Sequence, residues 1–230
     1  MAKKEVVQDI FNDIAPKYDL LNHLLSMNID KGWRRKAMSC IGEQEKGYLL
    51  DVACGTGDFS IAAHRAGVKQ VTGIDISENM VEIGKKKVGD LHLADAIELK
   101  TGDCEHMEFA TGMFDVVTVA FGVRNFEHLE LGLQEMHRVL KTGGKVIILE
   151  FSMPEHFPMK QLYRFYFCHI LPTIGGWISG NKGAYTYLPE SVMKFPQGET
   201  FLQIMRDCGF LHPVRRKLSF GIASLYVGEK

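Results

Sequence analysis

The chain has 230 residues, 24% charged and 46% hydrophobic, and a formal net charge of −1. That length suits one α/β domain with a small insertion and a sizeable core. The balanced charge excludes a global basic field that would steer the chain to nucleic acid, and no apolar run is long enough to span a bilayer. The N-terminus, Met1-Ala2-Lys3-Lys4, is polar and carries no signal-peptide pattern. The five cysteines (Cys40, Cys54, Cys104, Cys168 and Cys208) are odd in number and form no C-x-x-C pair. They read as reduced thiols of a cytoplasmic protein.

Residues 6–14 read as a short helix. Residues 16–35 are aromatic and basic, and are assigned to helices and loops lying over a site. Strand-like and helix-like runs then alternate. Residues 49–53 form a strand, 59–66 a helix ended by Gly67, and 71–75 a second strand. Ser77 caps a helix over 78–87. Strands follow at 97–101 and 114–121. A helix over 129–140 is closed by Lys141-Thr142-Gly143-Gly144, with cations near its C-terminus, and a fifth strand covers 145–151. Residues 151–188 hold Phe157, Tyr163, Phe165, Tyr166, Phe167, Trp177, Tyr185 and Tyr187. These suit a core helix on the sheet, and equally an insertion that lines a lipophilic pocket or touches a membrane surface. A helix over 201–209 and a hairpin of 214–218 with 222–227 complete the chain. The expected fold is α/β and Rossmann-like, with seven mostly parallel strands, an antiparallel last strand and helices on both faces. Extra N-terminal helices and an aromatic insertion after strand five complete it. The expected organisation is a single domain over 1–230, with a helical lid at 1–45 and the aromatic insertion at 152–195.

Residues 51–58 read Asp-Val-Ala-Cys-Gly-Thr-Gly-Asp and follow an apolar run. A strand that ends in a glycine-rich turn and feeds a helix is a nucleotide-type binding loop. Gly55 and Gly57 can take positive φ and let a ligand approach the backbone. The dinucleotide fingerprint wants a third glycine where Ser60 stands, and there is no Gly-Lys-Ser/Thr to make a phosphate-gripping loop. Asp75 ends the second strand and suits hydrogen bonds to both ribose hydroxyls. Asp51, Asp58 and Asp75 read as an acidic lip that repels phosphates and tolerates a sulfonium such as that of S-adenosylmethionine. His23, His128 and His137 have no metal spacing, so no metal is expected. A nicotinamide-dependent oxidoreductase and a cofactor-binding module without catalysis are the competing classes. Ser60 and the acidic lip argue against the first.

Further motifs narrow the reading. They are Tyr18-Asp19-Leu20-Leu21-Asn22, Gly32-Trp33-Arg34, Gly73-Ile74-Asp75-Ile76-Ser77, Phe121-Gly122-Val123-Arg124-Asn125, Leu149-Glu150-Phe151-Ser152 and Tyr187-Leu188-Pro189-Glu190-Ser191. With the glycine loop they resemble class I S-adenosylmethionine-dependent methyltransferases. More narrowly, they are similar to the family that C-methylates quinol rings in ubiquinone and menaquinone biosynthesis. The glycine loop marks the superfamily; Phe-Gly-x-Arg-Asn and Leu-Glu-Phe-Ser mark the family. The resemblance implies cofactor contacts at Asp51, Gly55, Thr56, Gly57, Asp75, Ile76, Asp103, Cys104 and Ala120, with Asp103 facing the adenine amine. Cys104 stands where the family often has Ala. Ala120 stands where it commonly has Ser or Gly, so a hydroxyl contact is lost there.

The resemblance also implies the reaction. A ring carbon attacks a methyl sulfonium only when the ring is the electron-rich quinol, and loss of a phenolic proton enriches it further. Arg124 fits as a permanent cation that favours the phenolate. Asn125 and Tyr18 fit as groups that position the phenol or a proton-accepting water. The implied partner is a polyprenylated quinol, demethylmenaquinol in first place. The benzoquinol of the ubiquinone pathway, or another small molecule methylated on O or N, remains open. The insoluble tail implies contact with the cytoplasmic membrane surface, and a homodimer is left open.

Overall fold

The computed structural model describes residues 3–19, 26, 28–170 and 182–230. Seven strands form one sheet in the order β3-β2-β1-β4-β5-β7-β6. β1 (Tyr48–Val52), β2 (Gln70–Asp75), β3 (Ile97–Thr101), β4 (Phe114–Ala120) and β5 (Leu140–Phe151) run parallel. β6 (Leu211–Leu218) and β7 (Ala223–Glu229) form the antiparallel end, with β7 between β5 and β6. The parallel strands are covered on both faces, so β1 reads as a near-continuous apolar run with every position from Leu49 to Val52 buried.

Eight α-helices are seen among the described residues. They are α1 (Lys4–Ile14), α2 (Ile29–Met38), α3 (Asp58–Arg65), α4 (Glu78–Asp90), α5 (Leu129–Val139), α6 (Met159–Phe165), α7 (Lys182–Lys194) and α8 (Glu199–Asp207). Ser77 caps α4 as expected: its hydroxyl accepts from the Met80 N–H at 3.2 Å. Gly57, at φ +80°, turns the chain from β1 into α3, a conformation that costs glycine nothing. Leu133 and Met136 of α5 and Phe201 and Met205 of α8 pack on one face of the sheet. Trp33 and Ala37 of α2, Phe59 of α3 and Val81 of α4 pack on the other. A third apolar cluster joins Ile14, Met80, Tyr163, Phe167 and Val192, so α1, α4, α6 and α7 meet above the sheet's carboxyl edge.

Two of the boundary differences from the sequence expectation have a plain cause in the backbone. Helix α5 stops at Val139 and the strand begins at once with Leu140, which pairs with Phe114. The next pair is Val116 with Lys145, so Lys141 to Gly144 bulge out of register inside β5 rather than closing the helix. Strand β4 ends at Ala120, because Phe121 turns to φ +59°. The aromatic stretch divides between core and surface. Tyr163 and Phe167 are buried, while Phe157, Leu162 and Phe165 are exposed. Trp177 and the Tyr185 side chain lie outside the described residues.

Candidate active site

Two chambers open at the carboxyl edge of the sheet. The smaller, of about 70 Å³, lies between the β1, β2 and β4 ends and helix α1. Gly55 has φ +54°, and its N–H donates to Asp75 Oδ2 at 2.8 Å. Asp75 Oδ1 accepts from the Ser77 N–H at 2.9 Å. Burial raises the Asp75 carboxyl from its ordinary value, and these backbone N–H groups oppose the rise. Ile74, Ile76, Met80 and Phe126 supply apolar walls, and Asp103 and Cys104 close the far end. A carboxylate at the second-strand end, apolar walls and an acid at the far side fit a nucleoside with a ribose, a flat base and an exocyclic amine.

Helix α1 roofs this chamber. Lys4 Nζ donates to Asp103 Oδ2 at 2.5 Å, and Gln8 Nε2 donates to the Ile76 carbonyl at 3.0 Å. Ser77 Oγ donates to Asn12 Oδ1 at 2.7 Å. These N-terminal contacts were not anticipated from sequence. Polar residues on one face of a short helix ordinarily meet solvent, and nothing in the chain marks their partners.

The larger cavity, of about 290 Å³, is apolar and aromatic. Ile14 of α1, Trp33 of α2, Phe151, Tyr163 of α6, Phe167 and Ile222 contribute to its wall. Phe121 stacks on Phe151 with centroids 4.4 Å apart and tilts against Trp33 at 6.1 Å. Its positive φ is an uncommon conformation for a bulky residue, held here by those ring contacts. Trp33 Nε1 donates to Ser219 Oγ at 2.8 Å, which ties α2 to the β6–β7 turn. Ser219, Phe220 and Gly221 all have positive φ in that turn, and Phe220 is left 83% exposed. Phe11, Tyr18 and Phe121 line both chambers, so the two share a wall.

Arg124 follows β4 and is buried in the wall of the larger cavity. Its Nη1 donates to Glu150 Oε1 at 2.7 Å and to the Phe121 carbonyl, and its Nε donates to Ser191 Oγ at 3.3 Å. Glu150 is fully buried, and burial raises its carboxyl despite the adjacent guanidinium. Arg124, expected as a permanent cation, is thus paired with an acid at the end of β5. Arg124 belongs to a neutral pair, and it offers oriented N–H groups rather than net charge. Tyr187 donates its hydroxyl to Asn125 Oδ1 at 3.0 Å, and burial raises its phenol.

The three acids of the expected lip have different surroundings. Asp51 is fully buried under the loop, where it accepts from Ser60 Oγ at 2.6 Å and Thr118 Oγ1 at 3.0 Å. Desolvation pushes its carboxyl up to about 6. Lys87 Nζ meets Asp58 at 2.9 Å, and Arg34 is 3.7 Å from the same carboxylate. Of the three acids, Asp75 faces the smaller chamber, while Asp51 and Asp58 line a pocket of about 20 Å³ beside it together with Gly55, Thr56 and Phe121. The structure brings Gly55, Asp75, Ile76, Asp103, Cys104 and Ala120 together around that chamber. Thr56 is turned away from it: its hydroxyl donates to Asp19 Oδ1 at 2.5 Å and accepts from Lys87 at 3.1 Å. Gly57 packs on Leu99 as the start of α3. Tyr18 and Asn125 both reach the chambers, Tyr18 at the shared wall and Asn125 in the smaller one.

The strand order with β7 inserted antiparallel, the glycine loop after β1 and the acid after β2 define the class: a Rossmann-like S-adenosylmethionine-dependent methyltransferase. A model of the ubiE/COQ5 methyltransferase family matches residues 1–230, and the chain belongs to that family. It is 46% identical to the demethylmenaquinone methyltransferase of Bacteroides fragilis, over 99% of this chain and 94% of that one. It is 49% identical to the ubiquinone/menaquinone biosynthesis C-methyltransferase UbiE of Geotalea uraniireducens, over 99% and 97%. Among solved structures, a SAM-dependent methyltransferase from Thermotoga maritima, described as a possible histamine N-methyltransferase, superposes with a TM-score of 0.68. It is 20% identical, with 96% of this chain and 99% of that chain covered, and shows the shared fold.

Proposed function

We propose that the chain transfers a methyl group from S-adenosylmethionine to a ring carbon of a polyprenylated quinol, with demethylmenaquinol as the substrate. The observation that carries this reading is the join between the chambers. A small chamber with Asp75 and Asp103 shares the wall of Phe11, Tyr18 and Phe121 with an aromatic cavity. The names of the relatives in Bacteroides and Geotalea support it.

The bound cofactor supplies an electrophilic methyl group. The residues supply alignment and exclusion of water. Gly55 and Asp75 hold the nucleoside end. Phe121, Phe151 and Trp33 offer flat faces to a bicyclic ring. Nη1 and Nε of Arg124 are held by Glu150, Phe121 and Ser191, and the Nη2 N–H groups make no hydrogen bond to a described residue. Those N–H groups are placed to meet a quinol oxygen as it gains negative charge. One such donor is worth roughly 10²–10³ in rate. Asn125, held by Tyr187, positions the phenol or a water.

At about 290 Å³ the cavity is at the small end of ligand pockets, enough for a head group and the start of a tail. The remaining tail must leave the protein. Leu162 lines the cavity and is also 61% exposed, beside Phe165 at 61%. Exposed Lys160 and Arg164 alternate with these side chains, a pattern suited to an anionic bilayer surface. The enzyme therefore works from the cytoplasmic face of the membrane as a peripheral protein. No helix among the described residues is long and apolar enough to cross a bilayer.

The test offers reduced demethylmenaquinone analogues and ubiquinone-precursor benzoquinols with methyl-labelled cofactor, and locates the label by mass spectrometry. Label on the naphthoquinol ring carbon is expected. Label on oxygen or nitrogen, or no transfer to any quinol, would defeat the reading.

A further inference from the structure

We propose that the carboxylate of Asp30, in the wall of the aromatic cavity, accepts the proton of the quinol hydroxyl next to the carbon that is methylated. This rests on the quinol reading above and assigns a residue the family motifs did not point to. Asp30 is 2% exposed yet lines the larger cavity. Among the described residues of that lining it is the one carboxylate, and Arg34 and Arg124 are the two cations. The remaining titratable groups there are the tyrosines Tyr18, Tyr163, Tyr166 and Tyr187. Burial raises the phenols of Tyr163, Tyr166 and Tyr187, so these groups stay protonated and act as donors.

Both carboxylate oxygens of Asp30 are engaged by described neighbours. Ser26 Oγ donates to Oδ1 at 2.7 Å. Arg34 Nε faces Oδ2 at 3.4 Å as an ion pair, yet that buried Nε makes no hydrogen bond to a described residue. Asp30 lies in the first turn of the ten-residue helix α2, where the helix dipole favours a negative charge. Arg34 is in turn shared with Asp58 at 3.7 Å. The carboxylate is the base that this wall supplies. It removes a phenolic proton as the ring carbon attacks, which is the regime of general-base catalysis.

The step balances without a further reactant. The O–H bond breaks and its proton passes to Asp30. The electron pair left on oxygen moves into the ring, and the neighbouring carbon bonds the methyl carbon while the carbon–sulfur bond breaks with its pair on sulfur. The methylated ring carbon then gives up its hydrogen as a proton to solvent. Asp30 returns its proton to the ring oxygen, which restores the quinol. The net release is one proton per methyl group.

The test compares Asp30→Asn and Asp30→His with the wild type, using a short-chain reduced demethylmenaquinone analogue between pH 6 and 10. Thermal protection by S-adenosylhomocysteine reads the cofactor site. Quenching of tryptophan fluorescence by a naphthoquinone analogue reads the cavity through Trp33. Asp30→Asn is expected to keep both binding signals while its turnover at pH 7 falls at least about 100-fold and climbs with pH as solvent takes over the proton. Asp30→His is expected to return to within about tenfold of wild type, with a new transition near the histidine value of about 6.5. A histidine restores a base but not an ion pair with Arg34, so a merely structural Asp30 would leave it as slow as Asp30→Asn. That result, or an Asp30→Asn variant with wild-type turnover, overturns the proposal. Failure of the wild type to methylate any quinol instead defeats the parent reading, and this one with it.

Discussion

Glu150 holds Arg124 at two points: Oε1 accepts from Nη1 at 2.7 Å, and Oε2 accepts from the Arg124 backbone N–H at 3.3 Å. Side chain and main chain of the arginine are therefore placed by one fully buried carboxylate at the end of β5. Removing either partner strands the other in a medium that solvates charge poorly.

Arg124→Gln alone is expected to cost about 3–5 kcal/mol of stability, the usual penalty for breaking a buried pair. Arg124→Gln with Glu150→Gln should recover most of that loss, because no lone charge remains. Turnover should stay down at least about 100-fold in the double variant, since the donor to the reacting oxygen is gone. Urea melts and product assays on the singles and the double separate the two roles. Full turnover in the double variant would remove Arg124 from the chemistry.

Asp51 makes stability depend on pH. Its carboxyl lies near 3.8 in the unfolded chain and is pushed up to about 6 by burial, with Ser60 and Thr118 opposing the rise. Between these values the folded state binds a proton that the unfolded state lacks, so stability falls as pH rises through the window. The loss amounts to up to about 3 kcal/mol and is complete above pH ~6. Asp51→Asn has no such proton. Relative to wild type, its melting temperature should climb between pH 4 and 7, and parallel curves would contradict the assignment.

Gly84 lets α4 lie against the glycine loop. A Cβ there would stand 2.6 Å from Leu99 Cδ1 and 3.2 Å from the Thr56 carbonyl oxygen. Gly84→Ala should therefore cost about 1–3 kcal/mol and weaken S-adenosylhomocysteine binding by about tenfold, because the loop must move. Gly89 in the same helix has open space around its Cβ position. Gly89→Ala should stabilise by about 0.5–1 kcal/mol through better helix propensity and leave binding unchanged. Calorimetric titration and thermal melts of both variants check the contrast.

The exposed aromatics at the cavity end should set membrane affinity. Phe157 is 80% exposed and Phe220 is 83% exposed. Each burial of such a side chain in the bilayer interface contributes about 1.5–3 kcal/mol at most, so Phe157→Ser and Phe220→Ser should each weaken binding to anionic vesicles by roughly tenfold. Turnover of a water-soluble short-chain quinol should not change. Flotation unaltered by the paired substitution would disprove this contact.

The parallel core was legible because strands covered on both faces must be apolar throughout, as in the Leu49 to Val52 run, and because Ser77 carries a local capping signal. The site was legible in part. Asp51 and Asp75 both follow apolar runs and look alike in sequence. One points under the loop to Ser60 and Thr118 and the other toward the chamber, and strand register decides between them. The Arg124–Glu150 pair depends on β4 lying beside β5, which local pattern does not encode. Asp30 gave no signal at all. An acid in the first turn of a helix is ordinary, and its place in an apolar wall arises only when α2 packs on Phe121 and Phe151.

The insertion of β7 between β5 and β6 bears on the order of assembly. Residues 223–229 fill an interior position of the sheet, and Tyr226 is fully buried there. During synthesis the β5 edge stays unpaired until residues 223–229 have been made. Trp33 likewise waits for Ser219, 186 residues later, before its indole N–H finds an acceptor. The glycine loop and its flanking strands can form early, but the aromatic cavity is finished last. A nascent chain is thus competent for the nucleoside well before it can enclose a quinol, and its open β5 edge is the stretch a chaperone has most reason to guard.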